Sequence, residues 1–222
     1  MVWKRQEPPK PSWPSPWGRG IPGWHLECYA MAEQLLGLPV DLHGGAPDLI
    51  YPHHYAENEE ALALRGTPFS RVFLHTGFVL VAGAKMSKST GNLISLRAAL
   101  DDVGAGALRW YLLSTPYTQR LQWDPAALHR AAEEFALVRA AVKRTLTAAP
   151  AGHTAVVAVH RLAEGVRADL ARGLATDRAF SRLRAWATRA PATATRRVTT
   201  ADRIRLRREL RSIEHRTGLP LL

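Results

Sequence analysis

The segment DLHGGAPDLIYPHHYAENEEALALRG, residues 41–66, decides the fold. Val40 to His43 reads as a short strand that runs into the paired glycines Gly44 and Gly45. The stretch from His53 to Arg65 is helical in pattern and closes at Gly66. Upstream, Leu26, Ala30, Glu33 and Leu36, with Met31 and Leu35 between them, form a 3.6-type stripe that ends at Gly37 and Pro39. Downstream, RVFLHTGFVLV (residues 71–81) is β-branched and aromatic and reads as one or two strands with a break at Gly77. The Pro- and Gly-dense WPSPWGRGIPG (residues 13–23) predicts an ordered loop. Alternating helix and strand predicts an α/β fold.

After Pro116 the character changes. Asp124 and Pro125 form an N-cap and N1 pair, followed by Leu128, Phe135, Val138, Val142 and Leu146 at helical spacing. TAAPAGHTA (residues 147–155) reads as flexible, and Leu162, Val166 and Leu170 mark a second helix. Thr176 and Asp177 cap a third that runs to about Arg189, and Ile204, Leu206, Leu210 and Ile213 mark a fourth. The division falls at residue 118: an α/β part over 1–118 and a helical bundle over 119–222.

The 222 residues are 46% hydrophobic and include seven Trp, which excludes intrinsic disorder. No apolar run approaches the roughly 18 to 20 residues of a membrane helix. The N-terminus MVWKRQEPPKP lacks the apolar region of a secretory signal and the Ser/Arg-rich pattern of a transit peptide. Cys28 is the single cysteine, so an internal disulfide is excluded and a reducing cytoplasm is expected. The net charge of +11 is unevenly placed: residues 1–119 hold 10 Lys+Arg and 10 Asp+Glu, and residues 120–222 hold 20 and 9. A basic segment beside a neutral one fits chemistry in one part and a polyanion such as RNA on the other. The competing explanation is the arginine bias of a GC-rich genome, since 25 of the 30 bases are Arg.

Four groups of residues carry candidate chemistry. His53 and Glu57 lie i, i+4 on one predicted helix face and could share an ion, with Cys28 as a third, soft ligand. In DLHGGAPD, residues 41–48, the glycines would let a ligand approach the backbone, and a plain turn accounts for them equally. KMSKSTGN, residues 85–92, joins mobile cations and hydroxyls to a Gly-Asn turn, as suits a phosphate-bearing transition state. Trp24 in PGWHLEC lies one helical turn before Cys28 and would wall a metal there, or else pack in the core.

Together these groups resemble, in order and spacing, the cysteinyl-tRNA synthetases, on WPSPWGRGIPGWHLEC, DLHGGAPDLIYPHH, Glu57 and KMSKSTGN. The likeness runs from about Trp3 to Trp123 and more loosely into the helices. It implies part of a Rossmann-type class I synthetase catalytic domain, followed by a helical tRNA-binding region. It implies Zn2+ held by Cys28, His53 and Glu57 to bind the thiolate of substrate cysteine, which serine cannot mimic. Trp24 matches the substrate-pocket tryptophan. His43, Gly44, Gly45 and Asp48 match the ATP-binding segment, with Ala46 where a third glycine is usual. Lys88, with Lys85, matches the lysines that stabilise the phosphates of Mg2+-bound ATP as the cysteine carboxylate attacks.

The implied activity is a cysteine–tRNA ligase of protein biosynthesis, with cysteine, ATP and tRNA(Cys) as partners and no membrane. The family's first zinc cysteine and its His-Ile-Gly-His motif have no counterpart here, so a truncated or split form is expected, partnered by a separate N-terminal half. A mycothiol-pathway cysteine ligase, which joins cysteine to an amino-sugar, would show nearly the same motifs. A non-catalytic paralogue binding RNA or a partner is the third reading.

Overall fold

Two compact units divide the chain between Gly77 and Phe78. The computed structural model describes residues 1–149, 152–189 and 196–222.

In the first unit β1 (Trp3–Arg5) pairs antiparallel with β2 (Gly20–Pro22), so the last part of the loop expected over residues 13–23 is a strand. Helix α1 (Trp24–Leu36) follows and stops at Gly37 as its sequence requires. The strand predicted over Val40 to His43 forms later, as β3 (His43–Gly45), and Val40 makes only an isolated parallel bridge to Ser70. The paired glycines are therefore inside the strand and not a turn after it. β3 pairs in parallel with β4 (Phe73–His75), His43 opposite Phe73 and Gly45 opposite His75.

The crossover between them is a 3₁₀ turn (Pro47–Leu49), a wide helical turn (Ile50–His54) and α2 (Tyr55–Arg65), ended by left-handed Gly66. Tyr29, Val40, Ala61 and Phe69 form the small core, with Leu26 and Ala32 against it. The predicted helix α1 is present, but its buried face differs from the predicted stripe. Tyr29 is 3% exposed whereas Leu35 and Leu36 are each 76% exposed, because α2 and the strands approach from the Leu26–Tyr29–Ala32 side.

In the second unit β5 (Val79–Val81) and β6 (Ala84–Lys85) form a hairpin, and β7 (Leu121–Gln122) joins β5 in parallel. Gly77 separates β4 from β5, as the sequence predicts. The helices are α3 (Leu96–Leu113), α4 (Pro125–Thr147), α5 (Gly152–Ala171), α6 (Thr176–Arg189) and α7 (Thr200–Thr217). The Asp124 carboxylate accepts a hydrogen bond from the Ala126 amide at 2.9 Å, the expected start of α4.

Helix α3 has no counterpart in the sequence reading. It is interrupted at Gly104, whose φ is 77°, so no continuous apolar stripe runs through it. Trp110 of α3 stacks on Phe180 of α6 at 4.7 Å and shares a core with Leu128, Val138, Leu183, Leu206 and Leu210. Packing thus divides the chain at Gly77, whereas the change of composition near residue 118 comes inside the helical unit. Ile204, expected to mark the inner face of α7, is 65% exposed; Leu206, Leu210 and Ile213 form that face. Of the stretch expected to be flexible, Thr147 closes α4, Ala148–Ala149 pairs as β8 with β9 (Arg196–Arg197), and α5 begins at Gly152. Residues 150–151 lie outside the described residues. No described helix is long and apolar enough to cross a membrane.

Candidate functional site

Glu57 is the centre of the site. In the first turn of α2, its side chain is fully buried, and its carboxylate faces two imidazoles. His53 Nε2 lies 3.2 Å from Oε1, and His43 Nε2 lies 2.9 Å from Oε2. Neither approach has hydrogen-bond geometry at the carboxylate, so both oxygens are buried without a hydrogen-bond partner among the described residues. An ionised carboxylate in that state is expensive. Burial accordingly pushes its pKa up to about 7, and the charge of Glu60 adds to the effect.

The i, i+4 relation of His53 and Glu57 survives although His53 belongs to the wide turn before α2, because the backbone through His54 is already helical. Helix α1 brings Cys28 to the same place. Ligand atoms of Cys28, His53 and Glu57 lie within 4.8 Å of one another. The Cys28 thiol is pushed up by burial, and then by Glu57 and Glu27. Soft sulfur, imidazole nitrogen and carboxylate oxygen are the donors a tetrahedral zinc site uses. A cation would give the two orphaned Glu57 oxygens their missing partner, so these residues fit the metal with three ligands. Trp24 stands beside them, its ring 4.4 Å from that of His53 and 64% exposed. It is a wall of the site and not part of the core.

Further histidines complete a cluster that the motifs did not single out. His54 Nδ1 is 2.8 Å from His75 Nε2, and the His54 ring is 4.4 Å from that of His43. Burial, reinforced by His43 and His75, lowers His54 to about 4, so it is neutral at physiological pH. Ligand atoms of His43, His54 and Glu57 also lie within 4.8 Å of one another, giving Glu57 two sets of neighbours. His25 Nδ1 is 2.7 Å from Glu60 Oε1. The available signal was composition: five of the nine histidines, at positions 25, 43, 53, 54 and 75, fall in the first unit.

Of the residues matched to an ATP segment, the His43 side chain turns towards Glu57 and packs edge-on against Phe69 at 4.9 Å. Gly44 is exposed within β3, and exposed Asp48 sits in the 3₁₀ turn. The two lysines belong to the second unit. Lys85 Nζ lies 4.2 Å over the Phe78 ring, a cation–π contact, while Lys88 is exposed. Their loop is cross-braced: the Ser87 amide donates to Asn92 Oδ1 at 2.9 Å, and Asn92 Nδ2 donates to the Lys85 carbonyl at 3.2 Å.

The family model for the tRNA synthetases class I (C) catalytic domain matches residues 1–133. The chain belongs to this family. It is 46% identical over 132 residues to a cysteine–tRNA ligase of Pseudothermotoga lettingae, covering 60% of this chain and 28% of that protein. To the cysteine–tRNA ligase of Rhodospirillum rubrum it is 38% identical over 184 residues, covering 82% of this chain and 38% of that one. The chain therefore spans well under half the length of these curated relatives. A crystal structure of Agrobacterium radiobacter LeuRS, in a ternary complex with tRNA and LeuAMS, superposes with a TM-score of 0.66 at 16% identity. The superposition covers 95% of this chain and 33% of that one, and it supports the fold: an α/β part followed by a helical bundle.

Proposed function

We propose that this chain carries the cysteine-selecting and part of the ATP-binding machinery of a cysteine–tRNA ligase. The observation that carries this reading is the convergence of Cys28, His53 and buried Glu57 beside the exposed face of Trp24. Zinc bound there supplies a soft Lewis acid for the thiolate of substrate cysteine, which the hydroxyl of serine does not match. Glu57 and His53 hold their positions without it, Glu57 by burial and His53 by the Trp24 ring, so the donor set is pre-arranged. Trp24 covers the same space from the solvent side and excludes water from it.

The chemistry proposed is an adenylyl transfer followed by an acyl transfer. First the cysteine carboxylate attacks the α-phosphorus of Mg2+-bound ATP, the bond to the pyrophosphate oxygen breaks, and cysteinyl-adenylate and pyrophosphate result. Then a hydroxyl of the terminal adenosine of tRNA(Cys) attacks the adenylate carbonyl, AMP leaves with the bonding electrons, and the hydroxyl proton passes to the departing phosphate. The attacking carboxylate is already ionised in the first step, so no general base is required. What the protein supplies is position and charge. Exposed Lys88 is assigned to the developing phosphate charge, and Lys85, steadied over Phe78, to the same field. Gly44 in β3, with Asp48 after it, is assigned to the nucleotide. The family's N-terminal segment, which has no counterpart in these 222 residues, is assigned the remaining phosphate contacts through its His-Ile-Gly-His motif and the fourth zinc ligand through its first zinc cysteine.

The experiment is cysteine-dependent ATP–pyrophosphate exchange by this chain with that segment supplied in trans. Exchange that follows cysteine and not serine, and that this chain alone does not perform, supports the reading. Zinc-loaded chain that binds cysteine no better than serine overturns it.

A further inference from the structure

Glu57 has two oxygens and two sets of neighbours, of which the proposed cysteine site takes only one. Oε1 is turned to His53, a member of the Cys28 set, and Oε2 is turned to His43, a member of the other. A metal held through Oε1 leaves Oε2 and His43 Nε2, 2.9 Å apart, both buried and without a hydrogen-bond partner among the described residues. A buried carboxylate oxygen and a buried imidazole nitrogen in that state are costly, and one shared cation is a partner for both.

His54 completes the second set. Its ring lies 4.4 Å from that of His43, and ligand atoms of His43, His54 and Glu57 are within 4.8 Å of one another. A tetrahedral zinc with bonds of about 2.0 to 2.2 Å holds its ligand atoms about 3.4 Å apart, so small side-chain movements close the set. His54 is also oriented as metal-bound histidines are: its Nδ1 is bonded to His75 Nε2 at 2.8 Å, which leaves the other ring nitrogen to ligate. The three side chains come from β3, from the wide turn before α2 and from α2 itself, so an ion among them would tie the strand to the crossover.

The first unit has a use for such a tie. Over Met1–Gly77 its buried apolar core is Tyr29, Val40, Ala61 and Phe69, and no disulfide supplements it, since Cys28 is the single cysteine. A segment of that size is poorly held by so small a core, and a structural metal is one of the usual supplements.

We propose that His43, His54 and Glu57 form a second zinc site, separate from the Cys28 set and joined to it by Glu57 as a bridging carboxylate, whose ion ties β3 to α2 and stabilises the first unit. Two imidazoles and one carboxylate are a donor set that zinc takes with a fourth position open to water. Lacking the soft thiolate, this set fills after the Cys28 set. The site does not rest on the ligase reading, because neither Cys28 nor Trp24 takes part in it.

The test titrates the metal-free 222-residue chain, isotopically labelled on its histidine nitrogens, with Zn2+, and counts the bound ions after free metal is removed. The expected result is two ions per chain, the first shifting the nitrogen resonances of His53 and the second those of His43 and His54. Cys28→Ala should bind one ion, at His43 and His54, and should lose the near-ultraviolet thiolate-to-metal band that the wild-type chain shows with Co2+. His54→Gln should bind one ion and keep that band. In Cys28→Ala, excess zinc should raise the melting temperature by at least about 5 °C, as a ligand that binds only the folded unit does, and adding His54→Gln should abolish the rise. The resonances of the wild-type chain decide the matter by themselves if a variant fails to fold.

One ion per wild-type chain, with His43 and His54 unmoved, would overturn the site and show that a single zinc takes both Glu57 oxygens or that His43 donates to Oε2; the ligase reading would stand, because the Cys28 set would still be filled. A second ion that moves the exposed His160 or His215 instead would be surface binding and would overturn it equally. Loss of every ion in folded Cys28→Ala would show one Cys28-dependent centre and overturn the second. No ion in the wild-type chain would overturn both this site and the zinc on which the ligase reading depends.

Discussion

Gly45 and His54 occupy one space: a Cβ on residue 45 would lie 2.7 Å from His54 Cε1 and 2.9 Å from its Nε2. The second glycine of the HGG stretch is therefore what lets the imidazole sit against β3, hydrogen-bonded to His75 and facing His43. Its neighbour Gly44 has open surroundings, the nearest atom being the Leu74 carbonyl oxygen at 3.8 Å. Gly45→Ala should displace His54 and destabilise the first unit by about 1 to 3 kcal/mol, the usual penalty of overpacking. Gly44→Ala should cost under about 1 kcal/mol. Chemical denaturation of the two variants side by side checks this; equal losses would show that the ring yields without cost.

Glu57→Gln should act with opposite signs on metal binding and on metal-free stability. Zinc affinity should fall by at least about tenfold, since even residues that only support a metal ligand cost about 10- to 100-fold. The metal-free chain at pH 8 should be at least as stable as wild type, because the variant removes a buried charge held at about 7 by desolvation and lacking hydrogen bonds. Zinc titration by calorimetry and melting in chelator read the two effects separately. A metal-free variant clearly less stable than wild type would mean that Glu57 is paired in solution by a protein group.

The Asp169–Arg182 pair is asymmetric, with side-chain exposures of 4% and 47%. Arg182→Met leaves a buried carboxylate without its partner and should cost about 1 to 3 kcal/mol. Asp169→Asn leaves only a half-exposed guanidinium, which water solvates, and should cost less. Denaturant midpoints of the two variants order them; the reverse order would mean that Arg182 contributes through its packing over Gly165, where a Cβ would come within 2.6 Å of Arg182 Cδ, and not through its charge.

His129 titrates above its ordinary value, first because its ring bonds the Pro125 carbonyl at 2.9 Å, and then because Asp102 lies 3.2 Å away. A histidine raised on folding stabilises fully below its unfolded pKa of about 6.5, and the effect is lost as pH rises through the higher folded value. Asp102→Asn should lower the His129 midpoint in an NMR titration but leave it above the ordinary value, because the Pro125 bond remains. Both partners are exposed, so the melting temperature should scarcely move. A midpoint that falls to the ordinary value would make Asp102 the whole cause.

Where the chain's structure is local, its sequence was enough. Gly37 and Gly66 end α1 and α2, Asp124 starts α4, and His53 meets Glu57, because each depends on neighbours within one helical turn and on the fixed 3.6-residue period. The order of the motifs also identified the family. Tertiary structure alone decided what joins residues far apart along the chain. The parallel pairing of β3 with β4 carries His43 to Glu57 and His75 to His54, and it turned the expected glycine turn into a strand. Helix packing decided that Leu35, Leu36 and Ile204 face outward, and that α3 shares its core with α4 and α6 across the change in composition. Composition sums charge along the chain, whereas a site depends on which side chains meet, and that is set by contacts between elements that no local pattern encodes.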